Sequence, residues 1–185
     1  MKSDIPFVFQ DSWIANEVIN SINPSRTYTS PLVRKDFKST TLKISSILRI
    51  CRFLKTTQSN NITAILADST HKILAYFPFK PTIVEFENQH CKRITYGTTN
   101  NLIDVSRANL LFVNGSELQQ DYDLTGSWDF DFVVLEVLEF NIFQSDQITF
   151  TLGVENSFKF VYDEPIYQRV CKRREPRNLL DLMEV

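Results

Sequence analysis

The sequence predicts a mainly β domain, a five-stranded Greek-key barrel with one helix ahead of it and one helix between its third and fourth strands. Two apolar runs, Ile62–Ala67 and Lys72–Phe77, flank Asp68-Ser69-Thr70-His71 and read as strands two and three of a hairpin with a polar tip. An amphipathic helix follows, and then two long strand-like runs, Leu102–Val113 and Phe130–Phe143. Three strands, a helix and two strands is the order of the oligonucleotide/oligosaccharide-binding (OB) barrel, whose helix plugs one end. The single helix in the third connection favours that barrel over a generic β-sandwich.

Asp11 to Ile22 reads as the opening helix. Asp11 or Ser12 is placed to cap it, and Ile14, Ala15, Val18, Ile19 and Ile22 recur on one face. At about 100° per residue, Trp13 falls nearly opposite the centre of that apolar arc. Asn23-Pro24-Ser25 ends the helix, and residues up to Thr41 read as an irregular wrap. Strand one covers Leu42 to Leu54; its alternation slips around Arg49 to Arg52, as in a bulged, strongly bent strand. Pro78 and Pro81 close strand three. Thr82 and Glu85 then stand at capping-box spacing for a helix running to about Cys91. Strand four, Leu102 to Val113, is interrupted near Ser106-Arg107. Asn114 to Asp129 holds Gly115, Gly126 and three Asp, and reads as a polar loop ahead of strand five. Alternation at Ile148, Phe150, Leu152 and Val154, and again at Phe158, Phe160 and Tyr162, points to an extra hairpin or to one strand with a short return. The expected domain is therefore 1–162. Beyond Pro165 the chain turns basic at Arg169, Lys172, Arg173, Arg174 and Arg177, so 163–185 is expected to be a flexible basic tail.

With 185 residues, 43% of them hydrophobic and fifteen of them Phe, the chain has ample material for one packed core. A net charge of -2 and a pI near 5.7 argue against gripping nucleic acid through bulk charge. Cys51, Cys91 and Cys171 form no Cys-x-x-Cys pair, and Met1-Lys2-Ser3-Asp4-Ile5-Pro6 carries no long apolar run. A reducing compartment, cytosol or nucleus, is expected. No run approaches membrane-spanning length.

Signs of chemistry are scarce. Four Gly leave no room for a phosphate-cradling loop, and there is no Gly-x-Ser-x-Gly elbow. The two histidines, His71 and His90, would have to converge to build a metal site or a triad. His90 and Cys91, as helix neighbours, point about 100° apart. No enzymatic activity, cofactor or metal is expected. Asp129, Asp131, Glu136 and Glu139 are assigned to the solvated face of strand five.

Three residues admit two readings each. Trp13 either folds back onto the barrel or stands out as an aromatic anchor for a partner. Glu87 projects into the apolar arc of Ile83, Val84, Phe86 and Cys91, where a carboxylate must be paired, with Arg52 or Arg93, or lie at the rim. Asp68 either shapes its turn or joins a surface. For single-stranded nucleic acid, an OB barrel presents aromatics on strands two and three framed by basic residues. Here that set is Lys72, Tyr76, Phe77 and Lys80, with Arg49 and Arg52 on strand one, and it is thin.

Phe7-Val8-Phe9-Gln10-Asp11-Ser12-Trp13-Ile14 opens a series of distinctive segments. Asp68-Ser69-Thr70-His71, Arg93-Ile94-Thr95 with Thr98-Thr99-Asn100, Ile142-Phe143-Gln144-Ser145-Asp146-Gln147 and Phe160-Val161-Tyr162 follow it in order. Over about residues 7 to 162 the chain closely resembles the Ever Shorter Telomeres family of yeast telomerase accessory proteins. That family is similar to the OB domain of the shelterin protein that recruits telomerase in animals. The resemblance implies a non-enzymatic nuclear subunit of telomerase at telomeres, in contact with the telomerase reverse transcriptase and other accessory subunits. Telomerase RNA would be reached indirectly, and direct telomeric DNA contact would be weak or absent. The matching surface positions are Trp13, Arg49, Arg52, Asp68, Glu87, Arg93, Thr98, Asn100 and Asp146. Arg49 and Arg52 keep the family's basic character, though Lys and Arg differ in hydrogen-bond geometry. Gly97 and Gln144 stand where the family shows acidic residues, so a contact needing negative charge there does not carry over.

Overall fold

The computed structural model describes residues 12–22, 35–38, 47–95, 97–113, 115–124, 132–144 and 155–171. Five strands close the expected barrel: β2 (Ile47–Thr56), β3 (Ile62–Ala67), β4 (His71–Phe77), β5 (Leu102–Val113) and β6 (Phe132–Gln144). β2 pairs antiparallel with β3, and β3 with β4; β5 pairs antiparallel with both β2 and β6. A parallel β4–β6 contact, Ala75 to Leu135 and Tyr76 to Glu136, completes the ring. β2 slips register between Ile50 and Arg52 and again between Phe53 and Lys55, the bulged bending that its broken alternation predicts.

The seam between β4 and β6 is finished by side chains. Beside the short parallel ladder, the Tyr162 hydroxyl accepts from Leu74 N at 3.1 Å and donates to Val133 O at 2.6 Å. The Tyr167 hydroxyl accepts from Val133 N at 3.0 Å. Two phenols thus stand where backbone-to-backbone bonds would otherwise span the gap, because buried N–H and C=O groups must find partners. Both come from the C-terminal segment, which also adds β7 (Lys159–Phe160) parallel to the start of β4.

Two helices follow the predicted outline with different anchoring. α1 (Ile14–Ser21) buries Ile14 and Val18 and packs on β4. α2 (Val84–His90) plugs the barrel: Phe86 stacks on Phe140 at 5.3 Å, and Phe140 meets Phe77 edge-on at 5.2 Å. Thr82 forms no capping box. Its hydroxyl lies 2.9 Å from Val137 O and 2.9 Å from Leu138 O, pinning the helix entry to β6. Cys91 ends α2 in the left-handed conformation, at φ 52°.

Three expectations are corrected. Within 114–129, read as a polar loop, α3 (Gly115–Tyr122) forms because Leu118 and Tyr122, one turn apart, both bury against the barrel. Within the N-terminal wrap, β1 (Lys35–Lys38) pairs with β5. The domain does not stop at 162: α4 (Pro165–Cys171) follows, with Tyr167 fully buried by its hydrogen bond to β6. Residues 172–185, and the alternating run 148–154, lie outside the described residues.

Tyr162→Phe is expected to lower stability by about 2–4 kcal/mol, because it strands two buried backbone groups. Urea unfolding should show an earlier midpoint with an unchanged slope. A loss below about 0.5 kcal/mol would mean that the seam does not depend on that hydroxyl.

Candidate docking surface

Asp68 is fully buried and accepts four backbone hydrogen bonds. One carboxylate oxygen accepts from Trp13 N at 2.7 Å and Ile14 N at 2.8 Å, at the N-terminus of α1. The other accepts from Thr70 N and His71 N, each at 2.8 Å, and so closes its own turn. Asp68 therefore shapes its turn and caps a helix more than fifty residues away, in place of a local cap by Ser12. A carboxylate suits both jobs, since it faces unpaired N–H groups and the positive end of the helix dipole.

The clasp explains Trp13. At the residue before α1, with φ -136° and ψ -22°, its direction is set by the Asp68 bond rather than by helical periodicity. Trp13 is 4% exposed and belongs to the core cluster. The reading as an exposed anchor is overturned; Trp13 folds back onto the barrel.

Arg49, Thr98 and Asn100 converge, but inward. Arg49 is 2% exposed and donates from Nη1 to Asn100 O at 2.8 Å. Asn100 N donates to Ile50 O at 2.7 Å, and Ile50 N to Asn101 O at 3.0 Å, so the loop after α2 is stitched onto β2. The buried Thr98 hydroxyl donates to Ile94 O. These three positions hold the loop's shape, and burial removes Arg49 and Thr98 from partner contact. Gly97 sits at φ 77° with nothing within 4 Å of a would-be Cβ, so glycine serves the backbone conformation there and not a lack of space.

Arg52 and Lys72 share one acid that the sequence did not single out. Arg52 Nε lies 3.1 Å and Lys72 Nζ 3.6 Å from Glu155 Oε1, and Lys72 also sits 4.3 Å over the Phe160 ring. Burial first, and then Glu155, push the Cys51 thiol pKa up to about 12. Glu87 is half-buried and Arg93 exposed; no ion pair joins Glu87 to Arg52 or Arg93 among the described residues. Asp146 lies outside them. Of the predicted set, Arg52 is exposed but bound to Glu155, Arg93 is exposed and Glu87 half-buried, and the last two mark a ridge at the end of α2 and the loop after it. Glu87 and Arg93 stand there beside Lys92, Thr95 and Thr99.

The nucleic-acid set does not assemble. All six residues of β3 are buried, so both of its faces are covered. α1, β7 and the turn Val161–Asp163 lie on β4, and α3 lies on β2 and β3, with Thr63 Oγ1 donating to Asp121 O at 2.6 Å. Lys72 is buried in its ion pair, and Tyr76 donates its hydroxyl proton to Glu136. Of the set, Lys80 is exposed, beside the exposed Phe79. Glu136, assigned to a solvated face, is instead half-buried because Tyr76 and Asn109 both donate to it.

Above the Asp68 turn runs a polar relay. Thr70 Oγ1 contacts Ser12 Oγ at 2.5 Å and His71 Nδ1 at 2.7 Å; His71 Nε2 meets Glu164 Oε1 at 2.7 Å, and Lys159 Nζ lies 3.3 Å from the same oxygen. The His71 bond, aided by Lys159, holds the Glu164 carboxyl below its ordinary value.

The model of the family described as "Shelterin complex subunit, TPP1/ACD" matches residues 10–159. The telomere replication protein EST3 of Candida albicans is 46% identical over 183 residues, which is 98% of this chain and 87% of that protein. The protein of the same name from Debaryomyces hansenii is 42% identical over 181 residues, 97% of this chain and 90% of its own. Among solved structures, the Est3 telomerase subunit of the yeast Hansenula polymorpha superposes with a TM-score of 0.58 at 20% identity, covering 87% of this chain and 84% of that one. At that identity the likeness concerns the fold, and the fold is the same OB barrel.

The relay has a pH signature. A carboxyl with a lowered folded pKa stabilises the fold above its unfolded value, and that stability fades as pH falls through the lowered one. Glu164→Gln should therefore be less stable than the parent at about pH 7, with the gap closing towards about pH 3. Urea midpoints across that range test it; a gap that grew in acid would reverse the assigned direction.

Proposed function

The chain belongs to the family of the telomere replication protein EST3, and on that premise we propose that it is a non-catalytic subunit of the nuclear telomerase ribonucleoprotein. It docks on the telomerase reverse transcriptase and on other accessory subunits through protein contacts. Telomerase RNA is reached indirectly, and direct contact with telomeric DNA is weak or absent.

One observation carries this reading. The wall on which OB barrels hold single strands is covered here by the chain's own α1, α3 and C-terminal segment, while the ridge at the end of α2 stays open. A strand-binding barrel needs exposed aromatic stacking platforms in a basic groove. β3 offers none, and Lys72, which is buried, and Arg52 both lie against the carboxylate of Glu155. The ridge offers mixed charge instead: Glu87 on α2, followed in the chain by Lys92 and Arg93, with Thr95 and Thr99. Opposite charges in close company set register and partner choice at protein interfaces.

Glu87 sits on the rim and takes no part in the Asp68 clasp or the tyrosine seam. Glu87→Lys should reduce recovery of the reverse transcriptase in co-purification by about tenfold or more, the effect of about 1.4 kcal/mol. The melting temperature should move by less than about 2 °C. Unchanged recovery would remove the ridge from the interface, and a collapse of stability would make Glu87 a structural residue.

A further inference from the structure

Four side chains above the Asp68 turn form one hydrogen-bonded chain, and what each atom is able to give fixes where its protons lie. Thr70 Oγ1 lies 2.5 Å from Ser12 Oγ, 2.7 Å from His71 Nδ1 and 3.4 Å from Asp68 Oδ1. His71 Nε2 lies 2.7 Å from Glu164 Oε1. Glu164 is ionised at neutral pH, because the His71 bond, aided by Lys159, holds its carboxyl below the ordinary value. A carboxylate brings no proton to a hydrogen bond, so the proton there belongs to Nε2. A neutral ring then leaves Nδ1 bare, and Nδ1 must accept. Thr70 has one hydroxyl proton. Nδ1 takes it, so Thr70 Oγ1 in turn accepts from Ser12. The chain runs one way, from Ser12 through Thr70 and His71 to Glu164.

We propose that His71 is a proton-operated switch that reverses this chain on its Ser12 side. An imidazolium donates from both nitrogens. Protonated, His71 keeps its bond to Glu164 and turns Thr70 from donor into acceptor. The Thr70 hydroxyl must then point to Ser12 Oγ or to Asp68 Oδ1, and in either case Ser12 ceases to donate to it. Hydroxyl protons rotate, so the reversal needs no displacement of heavy atoms. Among the described residues, the charged groups bonded around the ring are Glu164 and Lys159 from the C-terminal segment, with Lys159 Nζ 3.3 Å from Glu164 Oε1, and Asp68 from the turn. From the α1 side the ring meets, through Thr70, the uncharged Ser12.

Both covers of the β4 flank are fastened at this turn. Asp68 holds the start of α1, while Thr70 O accepts from Lys159 N at 3.3 Å and His71 holds Glu164, the residue before α4. A proton taken up beside the C-terminal segment is thus registered at the entry of α1. The switch is independent of docking at the Glu87 ridge.

The experiment is an NMR titration of the full chain from about pH 8 to about pH 5, the range in which histidine changes charge. At about pH 8 the ring nitrogen shifts of His71 should show a bare Nδ1 and a protonated Nε2. On acidification both should become protonated, and the Thr70 and Ser12 side-chain carbon shifts should move with the same midpoint as the ring. His90, the other histidine, stacks on Phe86 in α2, and its own ring signals are read separately. Thr70→Val removes the middle hydroxyl and keeps the Thr70 N bond to Asp68. In that variant the Ser12 response should be lost while His71 still titrates. A proton on Nδ1 in the neutral ring, an unresponsive Ser12 in the parent, or a Ser12 shift that persists in Thr70→Val each overturns the proposal. If the variant does not fold, the ring tautomer and the shared midpoint in the unaltered protein decide alone.

Discussion

The fold depends on one buried carboxylate. Asp68 has no exposure to solvent and accepts four backbone N–H bonds, two from the start of α1 and two from its own turn. A charge without water is tolerable only when donors surround it, and here the donors belong to two segments more than fifty residues apart. The same bonds decide where Trp13 goes. With its amide held by Asp68, the indole lies against the core, and α1 becomes a fixed wall across β4.

That wall has a functional consequence. OB barrels leave one flank of strands two and three open for ligands. In this chain α1 covers β4, α3 covers part of β3, and the C-terminal segment stitches the β4–β6 seam with the Tyr162 and Tyr167 hydroxyls. Each cover is hydrogen-bonded to the barrel, so the covers are part of the domain and not a detachable lid. What remains open includes the ridge at the end of α2, where we propose that protein partners dock.

The sequence revealed the barrel because its information is local. The β3–β4 hairpin, the plug helix and the bulged bend of β2 all follow from periodicity over a few residues. α3 was hidden because it buries only Leu118 and Tyr122 among polar neighbours, and α4 because Tyr167 stands nearly alone in a stretch that turns basic. The candidate site was less legible for a different reason. Asp68, Arg49 and Trp13 are polar or aromatic residues that look ready for a surface, yet their partners lie across the fold: Asp68 reaches 55 residues back to Trp13, and Arg49 reaches 51 residues forward to Asn100. No periodicity encodes such bonds. Glu87, which the sequence left either paired with Arg52 or Arg93 or at a rim, is half-buried at the end of α2, and no ion pair joins it to either arginine among the described residues.

Native-state hydrogen exchange tests the central constraint most directly. If Asp68 ties α1 to the hairpin, the amides of Trp13, Ile14, Thr70 and His71 should exchange only through the same large opening that exposes the core amide of Leu66. If Trp13 and Ile14 instead exchange orders of magnitude faster than Leu66, α1 opens on its own. The flank of β4 would then be available to ligands, and the sealed barrel described above would be wrong.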